Sequence, residues 1–216
     1  MPISDAVTAI DRDLREIFAD RLRSVVAYAV ADRAPHTPQP TLVVVDALTP
    51  ADLRACASRV AGWHDAGLAT PLLLEASEFE RSLDAFPFEF GAILADHVVV
   101  SGVNPLEGLR VDPADLRRAC EVQARSHLLH LREGYVETQG RSDALADLIA
   151  RSSAPLSALL KSVARLKGTV RGDGVLAEVA GLDGRLPSGD AARRLFPDYL
   201  SAVEHLTNEI DRWGRG

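Results

Sequence analysis

Lysine is nearly absent from this chain. Lys161 and Lys167 are the only two among 24 basic residues, the rest being arginine. With the abundance of alanine this reads as GC-rich coding bias, not as chemistry. Cysteine is scarce too: Cys56 and Cys120 are far apart and each sits in a helical pattern, which excludes a disulfide framework or zinc knuckle and leaves two buried free thiols. Long apolar runs are missing. Leu42 to Val45 and Val98 to Val100 fall far short of the ~20 residues that span a bilayer, and residues 1–13 carry acids where a signal peptide needs an apolar stretch. No membrane role and a cytoplasmic address are the expectations. Basic excess is also lacking. A formal charge of -7 demotes nucleic acid as principal ligand, because affinity for phosphate backbones is largely electrostatic.

What is present suits a folded protein. Of 216 residues, 47% are hydrophobic and 25% charged, enough apolar material for a core in one compact unit or two packed halves. Residues 3–20 place Ile3, Val7, Ile10, Leu14, Ile17 and Phe18 at helical spacing, with Ser4 and Asp5 as caps. Leu22 to Val30 and Thr41 to Val45 are β-branched runs separated by the proline-rich turn 34–40, which predicts two neighbouring strands. Thr49-Pro50 opens a helix running past Trp63 to Gly67. Pro71 to Glu75 is a third strand, Ser77 to Leu83 a short helix, and His97 to Ser101 a last strand. Between these, Phe86, Phe88 and Phe90 alternate with Pro87 and Glu89, which predicts a strand with Glu89 facing away from the aromatic side.

After Gly102-Val103-Asn104-Pro105 the character changes. Asp112-Pro113 begins a long helix with apolar positions 116, 120, 124, 128, 131 and 135. Residues 142–166 form another, with Pro155 as a kink or break, and 190–213 a further one. The expected architecture is therefore α+β: a small mixed sheet with flanking helices over residues 1–111, then a helical bundle over 112–216.

The stretch Ser82-Leu83-Asp84-Ala85-Phe86-Pro87-Phe88-Glu89-Phe90, then His97 to Leu106, then Leu116-Arg117 with Glu121, Arg125, Leu128-Leu129, Leu131-Arg132 and Tyr135, resembles a bacterial branch of the nucleotidyltransferase superfamily. The likeness is densest over residues 70–135. It implies a polymerase-beta-like sheet domain followed by a substrate-binding bundle. It also implies a Gly-Ser turn after the first strand, two carboxylates two residues apart on the second, and a third acid on a neighbouring strand. Residues i and i+2 share a strand face, so such a pair can hold two divalent ions around an in-line phosphoryl displacement. Laid on this chain, the pattern puts Ala29-Val30 at the Gly-Ser turn and Pro38 and Pro40 at the paired acids. Glu89 is left as the surviving candidate acid, and Asp32 and Asp46 lack the alternating relation the chemistry needs.

The leading expectation is a degenerate nucleotidyltransferase-like protein that needs no cofactor and binds a protein partner or a small anionic ligand. Arg125, Arg132 and Arg117 are candidate anion contacts, or else structural ion pairs. One alternative is an active Mg2+-dependent enzyme in which Glu89 ligates the metal and Arg125 or Arg132 steadies phosphate. Another is a structural homodimerisation module built on the bundle helices. Arg125 to His130 also fits the arginine, any four, histidine spacing of a helical ribonuclease family, but so does Arg59 to His64. His127 and His130 lie one turn apart without an evident third metal ligand. Lys161, Arg165, Lys167 and Arg171 flank the glycine-containing loop 168–174 and read as exposed.

Overall fold

The structure, a computed structural model, describes residues 5–31, 37–167 and 174–213. Ile3, Ser4, Asp32 and the loop 168–173 with Arg171 lie outside them. The chain divides into two compact units, Met1–Val111 and Asp112–Gly216.

The first unit is a four-stranded sheet in the order β3-β2-β1-β4, formed by β1 (Leu22–Tyr28), β2 (Thr41–Val45), β3 (Leu72–Glu75) and β4 (His97–Gly102). The central β1 runs antiparallel to β2 and β4, whereas β2 and β3 are parallel, so the sheet is mixed as expected. Every residue of β2 is buried, because both sheet faces are covered. On one face Val25, Ala27, Val43 and Val45 pack with Ile10, Leu14 and Phe18 of α1 (Asp5–Phe18), Cys56 of α2 (Pro50–Ala57) and Trp63 of α3 (Val60–Asp65). On the other, Val26, Leu42 and Val44 meet Phe79 and Leu83 of α4 (Ala76–Ala85) and Phe90 and Ile93 of α5 (Pro87–Ala95).

Two expectations are corrected here. The helix opened by Thr49 is two helices, with a break at Ser58-Arg59. Residues 87–95, expected to begin as a strand, are helical. Pro87 fills the first helical turn, where its missing N–H costs nothing, and Phe90 and Ile93 then share a face at the helical period. Positions 86 and 90 are four apart, so the Phe86/Phe90 pair fits either period. Phe90 closes edge-on against Phe79 with ring centroids 5.6 Å apart, whereas Phe86 is exposed.

Capping and charge tie the far sheet end together. Thr49 and Asp52 form a reciprocal capping box at the start of α2. Both Asp52 oxygens also receive the Arg21 guanidinium at 2.8 Å. Trp63 Nε1 and Arg59 both donate to Asp13, which fastens α3 to α1.

The second unit contains α6 (Pro113–Glu137), α7 (Ser142–Lys167), α8 (Gly174–Ala180) and α9 (Gly189–Arg212). Asp112 caps α6 through the Ala114 amide. Pro155 neither ends nor splits α7, which runs on to Lys167. At the α6–α7 crossing, a Cβ on Gly134 would lie 2.6 Å from a Leu148 methyl, so glycine there admits Leu148. Among the described residues no helix is long and apolar enough to cross a membrane.

Gly102, at φ +82°, leaves no room for a Cβ, which would sit 1.9 Å from the Arg23 carbonyl oxygen. Gly102→Ala is expected to cost at least about 2 kcal/mol from the left-handed backbone and that backbone clash, read by urea denaturation. The side-chain hydrogen bonds from Arg21 hold Asp52 well below the usual carboxylate range, with Thr49 adding to the effect and burial opposing it. A depressed carboxylate contributes stability above its unfolded pKa and loses it as pH falls. Asp52→Asn should therefore flatten the decline in stability below about pH 4, measured by denaturation across the acid range.

Candidate functional site

The superfamily resemblance directs attention to the sheet end formed by the C-terminus of β1 and the N-termini of β2, β3 and β4. Tyr28 pairs there with His97, and its amide donates to the Pro40 carbonyl at 3.3 Å. Regular antiparallel pairing would have the residue at 40 return a bond to the Tyr28 carbonyl. Proline has no N–H to give. The Gln39 side chain supplies it instead: Nε2 donates to Tyr28 O at 2.7 Å and to Pro40 O at 3.1 Å. The Gln39 backbone bonds Gly67 O and the Ala69 amide, so the Pro38-Gln39-Pro40 segment is pinned on both sides.

Tyr28 packs with the core beneath α4 and α5. Pro40, hydrogen-bonded opposite it, continues the Leu42/Val44 face. The resemblance would set the paired acids at 38 and 40, two residues apart, and both positions are prolines in this chain. Ala29, placed by the resemblance at the glycine of the phosphate turn, has φ 52°. The left-handed backbone that favours glycine is thus present with alanine in it.

The nearby acids are arranged otherwise. Asp96 accepts the Ala31 amide at 2.9 Å, and its carbonyl accepts the Ala29 amide. Glu75 lies opposite Val45 at the far end of the sheet, where it accepts the Leu48 amide at 2.7 Å. Glu89 is exposed on the first turn of α5, on a helix and not on a strand, where a carboxylate favours the helix dipole. Magnesium needs carboxylates in octahedral order with phosphate oxygens. Two prolines, an amide committed to backbone carbonyls and one carboxylate holding a backbone amide do not fit that ion. Among the described residues no three His, Cys, Asp or Glu side chains are grouped to hold a metal.

In the helical unit the arginine stripe is engaged by acids. Arg117 bonds Glu121 at 3.1 Å, Arg125 bonds Glu121 and reaches Asp211 at 2.9 Å, and Arg132 bonds Glu204 at 2.7 Å, so α6 is braced against α9. Arg125 and His130 are five residues apart, about 140° around a helix, so they do not share a face.

His127 and His130 do share a face, and they line a cavity of about 360 Å³ between α6 and α7. Gln123, Ser126 and Leu131 of α6 and Leu148, Arg151, Ser152, Pro155 and Leu159 of α7 complete it. Against it lies a chain of hydrogen bonds through fully buried Tyr199. His127 Nε2 is 2.7 Å from the Tyr199 hydroxyl, which is 2.9 Å from Ser152 Oγ, and Ser152 donates to Ile149 O at 2.8 Å. The proton inventory fixes the direction: Ser152 has one hydrogen, given to Ile149, so Tyr199 donates to Ser152 and receives from His127 Nε2–H. Nδ1 is left as an acceptor. Burial, with His130 adjacent, pushes His127 down to about 4, so it is neutral near pH 7, and burial raises Tyr199.

Sequence periodicity gave 190–213 as one helix and did not single out Tyr199, Gln39, Asp96 or Ser152. The available signals were the missing donor of a proline beside a strand and the need of a buried tyrosine hydroxyl for a partner.

No family model and no curated protein matches the chain. Its fold is similar to that in the crystal structure of a spectinomycin adenyltransferase from Enterococcus faecialis with ATP and spectinomycin. The two share 11% identity, with 96% of this chain and 98% of that one covered and a TM-score of 0.56. The likeness is one of fold, and this chain has a nucleotidyltransferase-like fold.

Gln39→Leu leaves the Tyr28 carbonyl without its donor and is expected to cost about 1–3 kcal/mol; the cost should shrink in a Pro40→Ala background, which restores the backbone N–H. Ala29→Gly should gain up to about 1 kcal/mol, since relief of the left-handed strain exceeds glycine's entropy cost. Both are read by urea denaturation. His127 has a lowered pKa, so native stability should fall as pH drops from about 6.5 to about 4. His127→Gln should flatten that segment of the profile.

Proposed function

We propose that this chain is a nucleotidyltransferase-fold protein that does not transfer nucleotides and acts by binding, with a small anionic ligand favoured over a protein partner. The observation that carries this reading is the Pro38-Gln39-Pro40 segment. By the resemblance it stands where the paired acids would be, it is locked by hydrogen bonds on both sides, and its prolines carry no metal-ligating side chain. The left-handed Ala29 supports it as well: the resemblance would set the glycine of the phosphate turn there, and this chain has alanine. Adenylyl transfer belongs to the enterococcal enzyme and is not extended to this chain.

The ion pairs of Arg117, Arg125 and Arg132 favour a bracing role for the stripe, because a phosphate would have to displace Glu121, Asp211 or Glu204. The small-ligand preference rests on the helical unit, where a cavity is lined by donors and apolar side chains and, among the described residues, by no carboxylate. A protein partner is the remaining form of the binding role.

The purified chain, incubated with Mg2+ or Mn2+ and each of the four α-labelled nucleoside triphosphates in the presence of amine and alcohol acceptors, is expected to transfer no label. Transfer that is lost in Glu89→Gln would replace this reading with that of a metal-dependent enzyme.

A further inference from the structure

We infer that the cavity between α6 and α7 is a binding site for a small carboxylic acid with an apolar body. This deepens the binding role proposed above and rests on it only for the premise that the chain works by binding.

Shape is the first argument. The antiparallel helices touch at Gly134 and Leu148, and the register set by that contact places His130 opposite Ser152 and His127 opposite Pro155. Pro155 removes the i+4 donor of the Arg151 carbonyl and the regular helix bond at this level. The resulting volume of about 360 Å³ falls at the lower end of the range occupied by small-molecule sites.

Chemistry is the second. Leu131, Leu148, Pro155 and Leu159 supply apolar wall, and Gln123, Ser126 and Arg151 supply donors. Although the chain carries a formal charge of -7, no aspartate or glutamate among the described residues lines the cavity. Glu133 lies 3.5 Å from His130 and is not one of the lining residues. Arg151 uses Nε on the Asp147 carbonyl at 3.3 Å and makes no carboxylate ion pair among the described residues, unlike Arg117, Arg125 and Arg132. Its two terminal nitrogens are the fork that suits a carboxylate. The His127–Tyr199–Ser152 chain fixes the histidine ring against the cavity, so that wall is formed before a ligand arrives.

The test is a titration of the full chain with phenylacetate, followed by NMR of the His127 and His130 imidazole Cε1–H resonances. Phenylacetamide and benzylamine serve as neutral and cationic counterparts. Saturable shifts of both histidines with phenylacetate are expected, with the two counterparts and the Arg151→Gln variant each weaker by about tenfold or more. Arg151 is exposed, so that variant should fold, and its unchanged Tyr199-linked His127 resonance before titration verifies it. Absence of a saturable shift with phenylacetate, equal affinity for all three probes, or full affinity in Arg151→Gln would each overturn the assignment. Nucleotide transfer, measured separately, would sink the non-enzymatic reading and leave this site standing.

Discussion

One side-chain amide sets the terms for the sheet end. A proline beside a central strand pair removes a ladder hydrogen bond, and in the interior such a loss exposes a carbonyl that must find another donor. Gln39 is that donor, reaching Tyr28 O and Pro40 O together. The strands can therefore keep their pairing while the positions at 38 and 40 carry no carboxylate. Without Gln39 the Tyr28 carbonyl would lose its donor, and with it the strand pairing is kept. Ala29 extends the same logic, since its left-handed φ preserves the turn that a glycine would hold more easily.

The two units put polar groups to different uses. Around the sheet, partly buried polar contacts are structural: Arg21 with Asp52, Thr49 with Asp52, Trp63 with Asp13 and Glu75 with the Leu48 amide. Each satisfies both partners inside the fold. In the helical unit the surface arginines of α6 are likewise matched with acids, and exposed pairs of this kind contribute at most about 1 kcal/mol each. The cavity departs from this pattern, because Arg151, Gln123 and Ser126 line open volume and not a partner helix.

Much of the architecture was legible in the sequence. The β-branched runs at 22–30 and 41–45, the Thr49-Pro50 start, the strand after His97 and the Asp112-Pro113 helix all follow from alternation, caps and prolines, and the nucleotidyltransferase-like fold follows from the motif resemblance. The strand expected at 86–90 failed because positions 86 and 90 satisfy both the period of two and that of 3.6, and Pro87 at the first helical turn settled it. Pro155 was read as a kink or break; it is not a break, since packing of Leu156, Leu159 and Val163 carries α7 through it. The site was less legible. The prolines at 38 and 40 are plain in the sequence, whereas the Gln39 bonds and the Tyr199 chain join residues 11, 47 and 72 positions apart, which no local pattern encodes.

The most direct measurement is paramagnetic: substoichiometric Mn2+ added to isotope-labelled protein in the presence of ATP, with the amide resonances of Ala29, Ala31, Gln39 and Asp96 observed. The account predicts that these resonances keep their line widths. Selective broadening of those four amides would show that a divalent ion and nucleotide still assemble at the sheet end, and would contradict it.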